Sequence, residues 1–362
     1  MDKRKINYLI YFFLVFALLF FCQQYLLFDE RAELLDQHSR IKEELETLQQ
    51  KIDSLESINK RSFVNVQKVS LPVVFCGDTL DMDNHFLRER VEREFYSLMG
   101  NQGQLQLYFK RTERFFPMIE GYLKNARLPE DLKYLSVHES ALLPKIRSRS
   151  NAVGLWQFMY ATGRLYKLKI NRYIDERRDP EKATAAAMRL LNDLYKRFKN
   201  WPLVLAAYNG GQGRIQQSMK KQNSNSLIDL FLPEETERYY FKIVATKIIL
   251  SQPEKFGFMF EGHDYFPSTK TVEIEFTIHK NKLTLEEIAS AFEMSLVALK
   301  EFNPQLINSH LIRGSYKIRI PSENYSRYLE NKETGDEGVF SLDARVSANA
   351  NNSQNPSLSL SR

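Results

Sequence analysis

The hydrophobic period of this chain changes near Phe266-Pro267, and the change separates two folded units of different kinds. Before it, apolar residues recur at helical spacing. Leu105, Tyr108, Phe109, Phe115, Phe116, Ile119, Tyr122 and Leu123 make one broad face. Leu128-Pro129-Glu130-Asp131 and Asp179-Pro180-Glu181 both read as helix starts. Proline is tolerated in a first turn, and acidic residues there face the positive end of the helix dipole. Ala183, Ala187, Leu190, Leu191, Leu194 and Phe198 then line one buried side, and Phe241, Val244, Ala245 and Ile248 line another after Tyr239. The spacing predicts an all-helical domain over residues 81–258. Past the change, Val272, Ile274, Phe276 and Ile278 alternate with polar residues, as in a strand. Two short helical patterns follow, Leu285 to Phe292 and Leu296 to Phe302, and then an alternating run Tyr316, Ile318, Ile320 that Pro321 stops. A small α+β unit of order strand–helix–helix–strand is expected over 259–330, with a polar tail at 331–362 expected to be disordered.

The first 80 residues have their own organisation. Lys3, Arg4 and Lys5 precede an apolar run from Ile6 to Cys22, which Tyr25 to Phe28 extend. A spanning helix needs about 20 residues, and basic residues before it hold the N-terminus in the cytoplasm. A cleaved signal or a lipid-modified Cys22 would want small residues at the processing site, where Leu19-Phe20-Phe21 are bulky. Residues 1–28 are therefore read as an uncleaved inner-membrane anchor, single-pass, with the rest exported to the periplasm. An outer-membrane lipoprotein is the alternative. From 29 to 60, Leu34, Ile41, Leu48 and Leu55 fall at one heptad position, and His38, Leu45, Ile52 and Asn59 at the other. That seam predicts a coiled coil holding copies of the chain together, against a lone amphipathic helix as the plainer reading. Residues 61–80 read as a linker.

Composition narrows the partners. A formal charge of +6 suits an anionic polymer or membrane, and no nucleic-acid motif accompanies it, so no nucleic acid is expected. Cys22 and Cys76 are the only cysteines, which gives neither a disulfide framework nor a thiolate metal site. Gly210-Gly211-Gln212-Gly213 lacks the strand and Lys-Ser/Thr of a phosphate loop, and His138-Glu139 lacks the second histidine of a zinc helix. No metal and no cofactor are expected.

Glu139 is the residue most suited to chemistry. Leu135 and Leu132 lie one and two turns earlier on the same face, so its carboxyl sits on an apolar stripe, where the charged form is costly. A carboxylic acid kept neutral can protonate a leaving oxygen. Pairing with a nearby base such as Arg147 is the plain structural alternative. The surroundings favour chemistry: Glu139-Ser140, then Gly154-Leu155-Trp156-Gln157, then Ala207-Tyr208-Asn209, then Tyr239 in Glu234-Glu235-Thr236-Glu237-Arg238-Tyr239-Tyr240.

In that order and spacing these pieces resemble the lytic transglycosylases of the goose-lysozyme-like superfamily, most like the membrane-bound lytic transglycosylase D group. The resemblance implies a lysozyme-like helical fold and peptidoglycan glycan strands as substrate. It implies non-hydrolytic cleavage between N-acetylmuramic acid and N-acetylglucosamine, with Glu139 as the single general acid and then base. It implies that Ser148 and Ser150 position the sugar, that Gln157 bonds near Glu139, and that Tyr208 and Asn209 hold acetamido and hydroxyl groups. Tyr239 would face Glu139 across the cleft. Trp156 stands where the family often has Met, as core or as sugar platform, and Asp175-Glu176-Arg177-Arg178-Asp179 reads as a charged lead into the next helix. The segment after residue 258 resembles a degenerate LysM module, with Asn281-Lys282-Leu283-Thr284-Leu285 replacing its usual opening loop. A lysozyme-like hydrolase and an inactive wall-binding scaffold are the alternatives.

Overall fold

The structure, a computed structural model, describes residues 3–61, 68–333 and 345–347, with side chains at 13–24, 34–35, 37–55 and 68–331. It divides into two units, Met1–Lys68 and Val69–Arg362. The first is one helix, α1 (Lys3–Arg61), running without a break across the boundary expected at residue 28. Its heptad residues Leu34, Ile41, Leu45, Leu48, Ile52 and Leu55 are all exposed. Among the described residues, no helix is long and apolar enough to cross a membrane. The expected anchor falls partly outside the described side chains, and 62–67 of the expected linker lie outside the described residues.

The second unit is mainly helical. It opens on a two-stranded turn, β1 (Val74–Phe75) and β2 (Asp78–Thr79), closed through Cys76 and Gly77 at positive φ. This corrects the linker boundary at residue 80, because Val73, Phe75 and Leu80 are buried in the main core. The Cys76 amide donates to Asp131 Oδ2 at 2.7 Å, and Lys247 Nζ reaches the same oxygen at 2.7 Å. Helices α2 (His85–Met99) and α3 (Gln102–Ala126) start on the side-chain caps of Asn84 and Asn101. A 3-10 turn at Glu130–Leu132 leads into α4 (Lys133–Ser140), and α5 (Tyr160–Leu165) is short. Asp179 caps α6 (Pro180–Phe198), accepting from the amides of Glu181 and Lys182, with proline in the first turn where its missing N–H costs nothing. Then come α7 (Trp201–Gly210), α8 (Gln212–Gln222) and α9 (Glu234–Leu250). Tyr239 therefore lies inside α9, not before it, since α9 starts five residues earlier on the Pro233 turn.

The strand–helix–helix–strand order is β3 (Thr271–Thr284), α10 (Leu285–Ala291), α11 (Leu296–Phe302) and β4 (His310–Pro321), followed by α12 (Ser322–Glu333). The strands pair antiparallel in register Thr271↔Pro321 and Phe276↔Tyr316. The stretch read as a replaced loop, Asn281–Thr284, stays in β3 after a bulge between Ile278 and Lys282, and Leu283 is buried. The Thr284 side chain then caps α10 in a reciprocal box with Glu287. In the tail expected to be disordered, β5 (Arg345–Ser347) instead pairs with β3; its remaining residues past Glu333 lie outside the described ones.

The two parts of this unit are joined by polar contacts. Arg319 of β4 is only 7% exposed and grips Asp179 at 3.0 Å to each oxygen, with Glu181 at 3.3 Å. Asn303, fully buried, accepts from the Arg319 amide and donates to its carbonyl. The Asp175 amide donates to the Gln305 carbonyl, the Ile307 amide to the Tyr173 carbonyl, and Ile174 enters the second core.

Candidate active site

Glu139 is the penultimate residue of α4, and the way α4 ends sets its position. Ala141 and Leu142 both take left-handed φ, 53° and 58°, which stops the helix. The Ser140 hydroxyl lies 3.0 Å from the Ser136 carbonyl and 2.9 Å from that of Leu155, bracing the helix end against the loop at 147–158. That loop is stiff. Ser148 and Ala152 pair through backbone, the Ser148 hydroxyl accepts from the Ala152 amide at 3.0 Å, and Val153 pairs with Phe158. Gly154 sits at φ 87°, and a Cβ there would stand 1.7 Å from the Arg177 carbonyl oxygen, so only glycine fits.

Arg177 is the clamp on this loop. It holds Asp175 through two bonds of 2.9 and 2.7 Å and donates to the carbonyls of Asn151 and Phe158 at 3.2 and 3.1 Å. The charged segment before α6 is thus more than a lead into a helix, because its buried pair fixes the Gly154 loop. Trp156 is fully buried, with its indole N–H on Thr184 Oγ1 at 2.9 Å, so it belongs to the core.

Two more elements close on Glu139. From α7, the Tyr208 hydroxyl donates to the Trp156 carbonyl at 2.7 Å. Next to it, Asn209 accepts from Thr236 Oγ1 at 2.9 Å and donates to Glu235 at 3.3 Å. From α9, the buried Tyr239 hydroxyl donates to Glu139 Oε1. The His138 ring stands edge-on to Tyr239 with centroids 5.1 Å apart. Behind it, the buried Glu94 carboxylate accepts from Arg238 at 2.8 and 3.1 Å and from Arg93 at 2.9 Å, which together outweigh its burial and hold it below the usual range.

Burial pushes the Glu139 carboxyl up to about 7. The Tyr239 hydrogen bond opposes this, and the charge of Glu235 adds to it. Burial lowers His138 to about 4, helped by Lys242, so its ring is neutral near neutral pH. Burial, then the neighbouring Glu139 charge, pushes the phenols of Tyr208 and Tyr239 well up, and both remain donors. The result is a carboxyl that can hold or release a proton near neutrality, faced by hydroxyls that keep theirs.

Glu139, Tyr208, Asn209 and Tyr239 thus converge from three helices. The side-chain hydrogen bonds of Ser148, Ser150 and Gln157 stay within their own loop. Ser148 and Ser150 face each other at 3.0 Å, and the Gln157 amide donates to the Gly154 carbonyl at 2.8 Å, not to Glu139. The site expected from the sequence assigned no role to Glu235 or Thr236. The signal was available, since Glu235 precedes Tyr239 by four positions and shares its helix face. Among the described residues, no group of three or more His, Cys, Asp or Glu could hold a metal ion.

A helical unit in which a buried glutamate accepts from one tyrosine and lies near a second is the class the geometry defines. Residues 117–231 match the family described as Transglycosylase SLT domain. Over 271 residues it is 30% identical to membrane-bound lytic murein transglycosylase D of Escherichia coli (strain K12), covering 72% of this chain. The chain spans 58% of the length of that curated relative. Among solved structures, lytic transglycosylase Slt from Pseudomonas aeruginosa aligns at TM-score 0.33 and 22% identity, over 41% of this chain and 26% of that one. The 70-kDa soluble lytic transglycosylase of Escherichia coli aligns at 0.31 and 22%, over 42% and 26%.

Proposed function

We propose that this protein is a peptidoglycan lytic transglycosylase in which Glu139 serves first as acid and then as base. The carrying observation is the Glu139 carboxyl, raised to about 7 by burial and hydrogen-bonded by Tyr239. Protonated Glu139 gives its proton to the glycosidic oxygen between N-acetylmuramic acid and N-acetylglucosamine. The bond from that oxygen to C1 breaks, and the N-acetylglucosamine leaves with a hydroxyl. The glutamate, now charged, takes the proton of the muramic acid C6 hydroxyl as that oxygen bonds C1. The product carries a 1,6-anhydro ring, and Glu139 ends protonated as it began. Because the substrate supplies its own nucleophile, the paired carboxylates of most glycosidases are not needed.

Tyr239 would orient the carboxyl and stabilise its charged interval. Tyr208 and Asn209 would bond acetamido and hydroxyl groups, and Ser148, Ser150 and Gln157 would line the cleft from the loop that Arg177 clamps. Glu139→Gln keeps the side chain's shape and an acceptor for Tyr239 while removing the acid. It should abolish release of soluble fragments from purified peptidoglycan, and retained release would remove Glu139 from the role.

We propose further that residues 1–28 anchor the chain in the inner membrane, with the catalytic part in the periplasm, and that the exposed heptad seam of α1 joins copies of the chain. The name of the curated relative, membrane-bound, supports envelope association. The strand–helix–helix–strand part is read as a LysM-like module against the same wall polymer.

A further inference from the structure

A cavity of about 480 Å³ lies away from Glu139, between the helical part and the strand–helix–helix–strand part. Its apolar wall includes Phe115, Met118, Leu143 and Phe302, and its charged lining is Arg111, Arg114, Lys145, Arg319, Glu181 and Glu301. The charges can be paired off. Glu301 bonds Lys145, and Glu181 lies 3.3 Å from Arg319, which also holds Asp179. Arg111 and Arg114 remain. Arg111 donates to the Ala141 carbonyl at 3.0 Å, and Arg114 to the Pro267 carbonyl at 3.2 Å. Among the described residues, neither has a carboxylate within ion-pair distance. Two guanidiniums one helical turn apart on α3 thus face an apolar-walled space with forks left over for a planar anion. Burial and the Arg114 charge both lower the proton affinity of Arg111, as expected where a cation lacks its counter-charge.

The carbonyl that Arg111 holds belongs to Ala141, two residues past Glu139. Two Cα steps reach at most about 7.6 Å, so this cation is tied to the backbone end of the active-site helix. We infer that the cavity at Arg111 and Arg114 binds a carboxylate of the peptide stem that branches from the glycan strand, placing a peptide subsite beside the sugar cleft. The inference rests on the proposed wall substrate. A stem carries carboxylates for the guanidiniums and aliphatic side chains for the Phe115–Met118 wall, whereas the sugar chain between stems is largely neutral.

The probe is the wall disaccharide N-acetylglucosaminyl-N-acetylmuramic acid with a tetrapeptide stem, titrated calorimetrically into the full chain beside the same disaccharide whose lactyl carboxyl is capped as a methylamide in place of the peptide. Neither contains the bond the proposed reaction cuts, so binding is read without turnover. The peptide-bearing form should bind about tenfold more tightly, and that advantage should vanish in Arg114→Glu and shrink in Arg114→Gln, which preserves packing. Lys220→Glu, the same charge change on the exposed face of α8, should leave it intact. Equal binding of the two forms by the native chain, or an advantage that survives Arg114→Glu, would overturn the subsite. Failure of the enzymatic reading shows elsewhere, as absent cleavage of intact wall, whatever the disaccharides do.

Discussion

Burial makes Glu139 hard to ionise, and the proposed chemistry depends on that. With its pKa near 7, the acid form that starts the reaction is lost above neutrality. The rate constant kcat/KM should be level on the acid side and fall about tenfold per pH unit above about 7. Tyr239→Phe removes the bond that favours the carboxylate, so this limb should move to higher pH while kcat falls; a pH–rate series on both proteins reads the shift. Folding stability carries the same signature. The folded state holds the Glu139 proton more tightly than the unfolded chain does, so stability is full below about 4.5 and is lost as pH rises toward 7. Glu139→Gln has no such loss. Its melting temperature should exceed that of the native chain at pH 8, by a free energy of at most about 3 kcal/mol, and match it near pH 4. A lower melting temperature at pH 8 would mean that the native carboxylate is stabilised there, contrary to the burial argument.

At the scale of elements, the site depends on a clamp and a joint. Gly154→Ala puts a methyl group against the Arg177 carbonyl at a positive φ, and should cost about 3 kcal/mol or more and most of the activity. Thermal melts and wall digestion check both. Arg319→Met strands the buried Asp179 charge at the start of α6 and should cost about 3–5 kcal/mol in the melting of the whole second unit. Helices were legible in the sequence because burial imposes a period, and proline and acidic residues mark their starts. Glu139, Tyr208, Asn209 and Tyr239 could be proposed together from the sequence because their motifs share one resemblance. The Arg177 clamp was not, since an arginine's partners are backbone carbonyls 19 and 26 positions away, which leave no mark in composition or spacing. The place of the first core strand was missed for a similar reason. Val73, Phe75 and Leu80 form no long periodic run, and only the tertiary core shows that they are buried.

For the whole molecule, α1 exposes Leu34, Ile41, Leu48 and Leu55 along one seam, and solvent-exposed apolar side chains at heptad spacing are costly unless covered. On the proposed arrangement, the full chain in mild detergent should sediment as a dimer or trimer. Placing charge in the seam, with Ile41→Glu and Leu48→Glu together, should return it to a monomer without loss of wall cleavage. A native chain that sediments as a monomer at high concentration would remove the coiled coil and leave the active site untouched, because the two rest on separate residues. Cell fractionation tests the anchor in the same way: a mature chain beginning at or after residue 22 would exclude it.

The central claim concerns what leaves the active site, and mass measurement of the products tests it directly. Purified peptidoglycan digested by the full chain should yield muropeptides ending in 1,6-anhydro-N-acetylmuramic acid, and none with Glu139→Gln. Reducing ends, heavier by one water, would mean that water and not the C6 hydroxyl attacks C1, and would make the protein a hydrolase.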